Sequence, residues 1–243
     1  MAVDGWRLKP ELRTPGAGAA LGSKRQDLNA REEILKAADT LFGQVGYEAA
    51  STREIAELSG VNKALIHYHF RTKEALFESV LDRYYERLNR TLRAVLDQEG
   101  TLRERMEHLI EVYVDFLARH RNFMGMVQRE ASGGPHLERI VTHMVPIFQT
   151  GTEAVHQAYP ATRAGALSAS RLLTSFYGMI VTYFTYSPVL KRLLNSDPLS
   201  QQNLAGFKRH LLRMLDLVAQ ALEAENAPAR SNPGRNSSTR RKS

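Results

Sequence analysis

The chain has 243 residues, 43% hydrophobic and 24% charged, a composition typical of a globular protein of one or two domains. It contains no cysteine, which excludes disulfides and thiolate metal sites and agrees with a cytoplasmic location. No apolar run approaches the roughly 18–20 residues of a membrane helix, so we expect no membrane partner. The net charge of +7 favours an anionic partner, although five of the positive charges stand in residues 226–243 without an acid.

The segment before the first predicted helix lacks a regular hydrophobic pattern. Residues 1–28 are rich in glycine, alanine, proline and mixed charge and show no periodicity. We interpret them as a disordered basic arm, and residues 226–243 as a disordered basic tail. Asn29 and Glu32 match a capping box, which predicts a first helix from Asn29 to Gly46. Its buried face is predicted to carry Ile34, Ala38, Leu41, Phe42 and Val45.

Two short helices joined by a tight corner follow. Ser51 and Glu54 form another capping box at the start of the second helix. Gly60 suits the left-handed backbone of a corner, and Asn62 caps the third helix. This arrangement is a helix-turn-helix, in which the second of the two helices enters the major groove of DNA.

The third helix has a buried side and an outer side. Val61 and Ile66 are spaced as a hydrophobic staple, and Phe70 continues the buried side one turn later. The outer surface is predicted to carry two i, i+4 pairs, formed by Lys63, Ala64, His67 and Tyr68. Lys63 and His67 can meet base edges or phosphates, Ala64 can touch a thymine methyl, and Tyr68 can donate to a phosphate.

Further predicted DNA contacts flank this surface. Lys73 lies in the first turn of the fourth helix, where a cation opposes the helix dipole unless a phosphate is near. A lysine exposed to solvent is the alternative reading. Thr52 and Arg53 begin the second helix and are predicted to contact the DNA backbone across the groove. Asn62 and His69 complete the predicted DNA-binding set.

A family pattern runs through this region. It consists of Ile34-Leu35-x-Ala37-Ala38-x-x-Leu41-Phe42, Gly46-Tyr47, Ile55-Ala56, Gly60-Val61 and His67-Tyr68-His69-Phe70-x-x-Lys73-x-x-Leu76-Phe77. Residues 31–78 thereby resemble the DNA-binding domain of the TetR family of bacterial transcriptional regulators. The resemblance implies an all-helical homodimer with a C-terminal ligand-binding domain, and DNA contacts by Lys63, Tyr68 and Lys73. The chain departs from the family at Ala64, where glycine is common, and at His67, where tyrosine is usual.

The remainder of the chain is predicted to be helical, which makes the fold all-α. We assign residues 29–75 to the DNA-binding domain and residues 76–225 to a helical ligand-binding and dimerisation domain. The periodicity predicts helices at 73–97, 101–119, 121–131, 136–158 (kinked at Pro146) and 162–186, and a last one that begins at Asp197-Pro198.

The last two predicted helices are interpreted as the dimer interface. Residues 162–186 are apolar around most of the helix circumference, so the helix must be covered on two sides. One side can face its own domain and the other a partner chain. A dimer of helix-turn-helix domains reads an inverted repeat whose half-sites are about 34–36 Å apart, or a multiple of it.

A ligand pocket is predicted between the middle helices and residues 172–184, on the basis of the family resemblance. Its candidate lining residues are Tyr113, Phe116, Met124, Met144, Phe148, Phe176, Tyr177 and Tyr183. They suit a lipophilic or aromatic compound. For each residue taken singly, a place in an ordinary core is the alternative. Ligand binding is expected to spread the reading helices and release DNA.

The chain carries no convincing sign of catalysis. Glu104, His108 and Glu111 share one helix face at metal-ligand spacing, but that face lies opposite the apolar stripe and reads as a solvated surface. Nucleophile elbows, phosphate loops and dinucleotide fingerprints are lacking. We therefore predict no enzyme, metal or cofactor.

The function predicted from the sequence is a ligand-responsive dimeric repressor that binds an inverted-repeat DNA operator and is released by a small-molecule effector. Two alternatives are a transcriptional activator of the same fold and a helical small-molecule-binding protein without operator binding.

Overall fold

A computed structural model describes the backbone of residues 17–226 and the side chains of residues 25–225. The described part contains ten α-helices and one short 3₁₀ helix and no strand, which confirms the all-α class. Residues 1–16 of the predicted arm and residues 227–243 of the predicted tail lie outside it. None of the described helices has both the length and the apolar character that crossing a membrane requires. The chain divides into two compact units between Arg83 and Tyr84.

The first unit begins with α1, which spans Ala17–Ala49. The predicted start at Asn29 is wrong, because residues 19–28 are mostly good helix formers and the helix continues through them. Asn29 is an exposed residue inside the helix, and the predicted disorder of the arm does not extend to residues 17–28. Glu32 is not part of a cap and instead accepts a hydrogen bond from Arg83 at 2.6 Å.

The buried face of α1 follows the predicted spacing up to its last turn. Ile34, Ala38 and Phe42 are fully buried, and Phe42 meets Phe77 edge to face with 5.0 Å between ring centroids. Val45 was predicted to be buried and is 48% exposed, because it directly precedes the break at Gly46. The backbone there has φ 84°, the left-handed region that glycine adopts without strain.

The helix-turn-helix consists of α2, Thr52–Ser59, and α3, Lys63–Phe70. The capping box of Ser51 and Glu54 is present, with reciprocal hydrogen bonds of 3.0 and 3.2 Å. Gly60 forms the corner with φ 69°, as predicted. The side chain of Asn62 caps α3 by accepting the N–H of Ala64 at 2.9 Å. These local contacts set the path of the chain into α3.

Helix α4 spans Lys73–Leu96 and contains the boundary between the two units. Thr72 caps it, since its hydroxyl accepts the N–H of Ala75 at 3.0 Å. Gly100, with φ 119°, lies in the turn that follows.

The second unit continues with α5 Leu102–Arg119, α6 Arg121–Ala131, α7 Leu137–Ala158, the 3₁₀ helix Pro160–Arg163, α8 Ala169–Thr185, α9 Ser187–Leu193 and α10 Gln201–Asn226. The predicted capping box of Thr101 and Glu104 opens α5. Pro146 lies inside α7.

Three boundaries in the second unit differ from the predictions. Helix α8 begins at Ala169 rather than at residue 162, because the 3₁₀ helix and the positive φ of Gly165 come first. Helix α9 was not predicted; it is a single short segment with a proline in its first turn. Helix α10 starts at Gln201, after a turn in which Asp197 accepts the N–H of Leu199 at 3.0 Å.

Candidate DNA-binding surface and ligand cavity

The outer side of α3 presents a compact set of polar and small side chains. Lys63, Ala64, His67 and Tyr68 are all exposed, and Tyr68 is 66% exposed. Ile66 and Phe70, on the opposite side, are buried. The predicted exposure is therefore confirmed, and α3 offers a cation, an imidazole and a phenol beside a residue small enough to permit close approach.

The residues that flank this side of α3 differ in the hydrogen-bond donors that they can present to DNA. Arg53 is exposed, and its Nε donates to Glu57 at 3.0 Å, so the rest of its guanidinium can reach a phosphate. Thr52 is half-buried at the start of α2. Because the side-chain oxygen of Asn62 accepts the cap bond from Ala64, the amide NH₂ is the part of Asn62 that remains for another contact.

The geometry of α2 depends in part on a carboxylate. The pKa of Glu54 is lowered, first by the hydrogen bond from the Ser51 hydroxyl and then by the bond from the Ser51 backbone N–H. A lowered carboxyl pKa means that the cap stabilises the fold above the ordinary carboxyl pKa and is lost as the pH falls through the folded value.

Lys73 was predicted to contact phosphate, and in the structure its ammonium has acceptors within the first unit. Its Nζ donates to the backbone carbonyls of Tyr47, Glu48 and Ala50 at 3.0, 3.4 and 3.1 Å. It also lies 4.3 Å from the centroid of the Tyr47 ring. The three donors of an ammonium are thus directed at the C-terminal end of α1, where free carbonyls attract a cation. Lys73 ties α1 to α4 within the first unit.

His69 was also predicted to bind DNA, and its side chain is in the wrong place for it. The imidazole is only 6% exposed and its Nε2 lies 3.4 Å from the Asp27 carboxylate. His69 follows Tyr68 directly, and one residue step along the helix turns its side chain about 100° away from Tyr68, toward α1. The structure therefore does not present His69 to DNA.

The second unit contains a partly open cavity of about 220 Å³. Side chains from α4, α5, α6, α7, α8 and α10 line it, and nearly all of them are apolar. Six of the predicted ligand-binding residues are among them, namely Tyr113, Met124, Met144, Phe148, Phe176 and Tyr177.

Two predicted ligand-binding residues lie outside the cavity. Phe116 is buried against His120 and Phe123, with ring centroids 4.5 and 5.9 Å away. Tyr183 stacks on Phe207 at 3.8 Å and donates its hydroxyl to the carbonyl of Pro198 at 2.8 Å. Phe116 is a core residue, whereas Tyr183 is half-buried against α10. In this unit the apolar spacing that predicts a covered side chain does not show whether it faces the cavity.

The wall of the cavity contains three phenols that the sequence pattern did not group together, Tyr85, Tyr113 and Tyr177. Burial raises the pKa of all three hydroxyls, most for Tyr85 and Tyr113. The three hydroxyls are close neighbours, so ionisation of one disfavours ionisation of another. Tyr177 raises the pKa of Tyr85 in this way, and Tyr177 and Tyr85 both raise the pKa of Tyr113. The three phenols therefore remain neutral hydrogen-bonding groups at physiological pH.

The charged face noted on α5 has local partners. Glu104 closes the helix cap with Thr101, and Nδ1 of His108 lies 2.9 Å from the side-chain oxygen of Gln98. Among residues 25–225, no cluster of three or more His, Asp or Glu side chains is arranged to hold a metal ion.

Comparison with known proteins decides the family. Residues 34–80 match the family described as bacterial regulatory proteins, tetR family. The N-terminal domain of this chain belongs to the TetR family. The matched stretch includes the second half of α1, all of α2 and α3, and the start of α4 with Lys73.

Two curated relatives illustrate the range of the similarity. The chain is 36% identical over 104 residues to the HTH-type transcriptional repressor NicS of Pseudomonas putida, covering 41% of this chain and 47% of the relative. It is 32% identical over 103 residues to the HTH-type transcriptional activator FasR of Mycolicibacterium smegmatis, covering 42% and 47%. The chain spans about half the length of the curated relatives it matches.

The TetR-type fold extends beyond the matched domain. A TetR-family transcriptional regulator from Bordetella parapertussis superimposes with a TM-score of 0.63 at 18% identity, over 76% of this chain and 93% of the other. At that identity the likeness concerns the fold. Since Ala64 and His67 depart from the family pattern on the exposed side of α3, base contacts are not transferable from relatives.

Proposed function

We propose that this protein is a dimeric, ligand-responsive transcriptional repressor that binds an inverted-repeat operator in the cytoplasm, and that it has no enzymatic activity. The observation that carries the proposal is the exposed side of α3, where Lys63, Ala64, His67 and Tyr68 stand together on a helix held by two caps. The TetR-type match of the same residues supports it.

The roles proposed for the DNA-binding residues follow from their chemistry. Lys63 and His67 contact base edges, and Ala64 allows α3 to approach a thymine methyl. Tyr68, Arg53 and Thr52 each donate to a phosphate, and the amide NH₂ of Asn62 does the same. His69 and Lys73 are left out, because both are engaged within the first unit.

Dimerisation is proposed through α8 and α10. The exposed side of α8 carries the small polar residues Thr174, Ser175 and Thr182. Gly178 lies on the same side, and a Cβ built there would meet no atom within 4 Å. A partner helix can approach such a surface closely. The resulting two-fold symmetry would place two α3 helices on successive major grooves.

The effector is proposed to bind in the cavity of the second unit. Helix α4 contributes Tyr85, Leu88 and Leu92 to the lining and is continuous with the first unit through Lys73. We propose that filling the cavity shifts α4 and thereby changes the separation of the two α3 helices in the dimer. When the separation of the two α3 helices no longer matches the spacing of the half-sites, the protein releases the operator.

The test is a binding measurement on DNA flanking the gene. Fluorescence anisotropy with an inverted repeat from that DNA should show an affinity that falls steeply with salt, as expected for several phosphate contacts. Lys63→Ala should weaken binding and relax preference at one base position, by about 1–3 kcal/mol for a bidentate contact. Lys36→Ala removes the same charge from an exposed α1 residue paired with Glu33, and should leave site preference unchanged.

Two results would contradict the proposal. The first is weak, salt-insensitive binding to every sequence, which would favour the alternative of a helical small-molecule-binding protein. The second is raised expression in a promoter reporter, because an activator raises expression from the bound promoter and a repressor lowers it. Relatives of both kinds exist, as NicS and FasR show by name.

A further inference from the structure

The cavity of the second unit has one polar region in an otherwise apolar wall. Tyr85 from α4, Tyr113 from α5 and Tyr177 from α8 all line it. The rings of Tyr113 and Tyr177 are near parallel, with centroids 6.4 Å apart, and Phe148 packs edge-on against Tyr177 at 5.4 Å. Three separate helices thus bring three phenols to one site.

The hydroxyl of Tyr85 has no hydrogen-bond partner among the described residues. Its ring is stacked on His143 at 4.6 Å and meets Phe123 edge to face at 5.0 Å, and the residue is 1% exposed. A buried hydroxyl without a partner is rare in folded proteins, and one beside a cavity points to a group that enters from outside. Within residues 25–225, the hydroxyl of Tyr177 has one partner, the sulfur of Met144, which is a weak acceptor at 3.9 Å.

Charge in the wall narrows the chemistry of that group. Arg103 is the charged side chain among the lining residues of the described part, and no lining residue is acidic. Its Nε donates to Glu107 at 3.1 Å and its Nη2 donates to Asp216, so two carboxylates already balance the charge of the guanidinium. A carboxylate ligand would find no free cation, and an organic cation would find no anion. Either would lose its hydration without compensation.

We propose that the cavity binds an uncharged lipophilic molecule that carries a hydrogen-bond acceptor, such as a ketone, ester or lactone, and that the Tyr85 hydroxyl donates to that acceptor. Tyr113 and Tyr177 stand beside it and can serve the same oxygen. An engineered apolar cavity of about 150 Å³ accepts benzene. A cavity of about 220 Å³ therefore has room for a larger body, such as two fused rings or a medium-length chain. This inference rests on the proposed function, since it names the effector class.

The test is calorimetric binding to the full chain without DNA. The ligands are two ketones, 2-decanone and 2-acetonaphthalene, and two charged molecules of matched chain length, decanoate and decyltrimethylammonium. At least one ketone should bind about tenfold or more tightly than either charged molecule, because the latter lose hydration in the cavity. Tyr85→Phe should weaken ketone binding about three- to tenfold, the usual effect of one net hydrogen bond. Tyr186→Phe changes an exposed tyrosine outside the cavity and should leave it unchanged.

The folding of the variant is tested separately. Ligand-free Tyr85→Phe should unfold at the same or a higher temperature, because it removes an unpaired buried hydroxyl and keeps the ring. If it is less stable, Tyr113→Phe provides the second measurement, with the same expected loss of ketone affinity.

Three outcomes would overturn the inference. One is that neither ketone binds. Another is that decanoate binds as tightly as the ketones and loses affinity in Arg103→Met, which would make Arg103 an anion site. The third is that both tyrosine variants bind the ketones as the parent does. Since DNA is absent from these measurements, each outcome leaves the proposed operator binding standing, and a failure of operator binding leaves the cavity chemistry standing.

Discussion

Replacing Lys73 with methionine tests whether this residue ties α1 to α4 or contacts DNA. Methionine keeps most of the aliphatic stem and removes the three hydrogen bonds to the carbonyls of Tyr47, Glu48 and Ala50. A hydrogen bond with a charged partner contributes about 1.5–3 kcal/mol, and an exposed cation–π contact about 0.5–1 kcal/mol. The three bonds share one half-exposed ammonium and are not additive, so we expect a loss of about 2–3 kcal/mol in the free energy of unfolding.

The assay is urea unfolding of the full chain together with hydrogen exchange of the α1 C-terminus. The midpoint should move to lower urea, and the Ala50 amide, which donates to the Gly46 carbonyl at 3.3 Å, should exchange faster. Lys36→Met is the matched control, because Lys36 forms an exposed ion pair with Glu33 on the same helix, and its loss should leave no measurable change.

A different pattern would refute this assignment of Lys73. If Lys73→Met unfolds like the parent, yet binds all DNA sequences more weakly with a salt slope smaller by about one, the ammonium contacts a phosphate. The first turn of α4 would then be part of the DNA-binding surface, as the family resemblance implied.

Two further predictions concern the framework of the helix-turn-helix. Ser51→Ala should destabilise the fold by about 1 kcal/mol at neutral pH through loss of the cap. Because the folded pKa of Glu54 is lowered, the difference from the parent in pH-dependent unfolding should shrink as the pH falls below the ordinary carboxyl value of 4.5, and a difference that stays constant would contradict it. Gly60→Ala should cost about 1–2 kcal/mol, since φ is 69° there. Gly206 lies inside α10, where an added Cβ would make an ordinary contact of 3.8 Å with the end of the Arg209 side chain. Gly206→Ala should therefore stabilise by about 0.5–1 kcal/mol, and equal thermal shifts of the two variants would argue against backbone strain at Gly60.

The helix-turn-helix was predictable because its determinants are local. A capping box needs two residues three apart, as Ser51 and Glu54 are, and a left-handed corner needs one glycine. The exposed side of α3 follows from the same helical spacing. The start of α1 was not predictable by this route. Asn29 carries the signature of a cap, but the residues before it favour a helix, and α1 continues through them.

The cavity was predictable only in part, for a different reason. Six of the predicted aromatic and methionine residues line it. Phe116 and Tyr183 have the same apolar spacing, yet Phe116 is buried in the core and Tyr183 packs half-buried on Phe207. An amphipathic helix pattern states that a side chain is covered, and it does not state whether the neighbour is another side chain or an empty volume. That distinction depends on how six helices pack.

The sequence by itself determined the all-α class, the helix-turn-helix and the outward set Lys63, Ala64, His67 and Tyr68, because each depends on residues within a few turns of one another. Only the tertiary structure decided the roles of Lys73 and Tyr85. The ammonium of Lys73 meets carbonyls more than twenty residues away in the chain. The unpaired hydroxyl of Tyr85 becomes part of a proposed ligand site only together with Tyr113 and Tyr177, which come from two other helices. Contacts between distant segments leave no periodic trace in the sequence, so only folding reveals them.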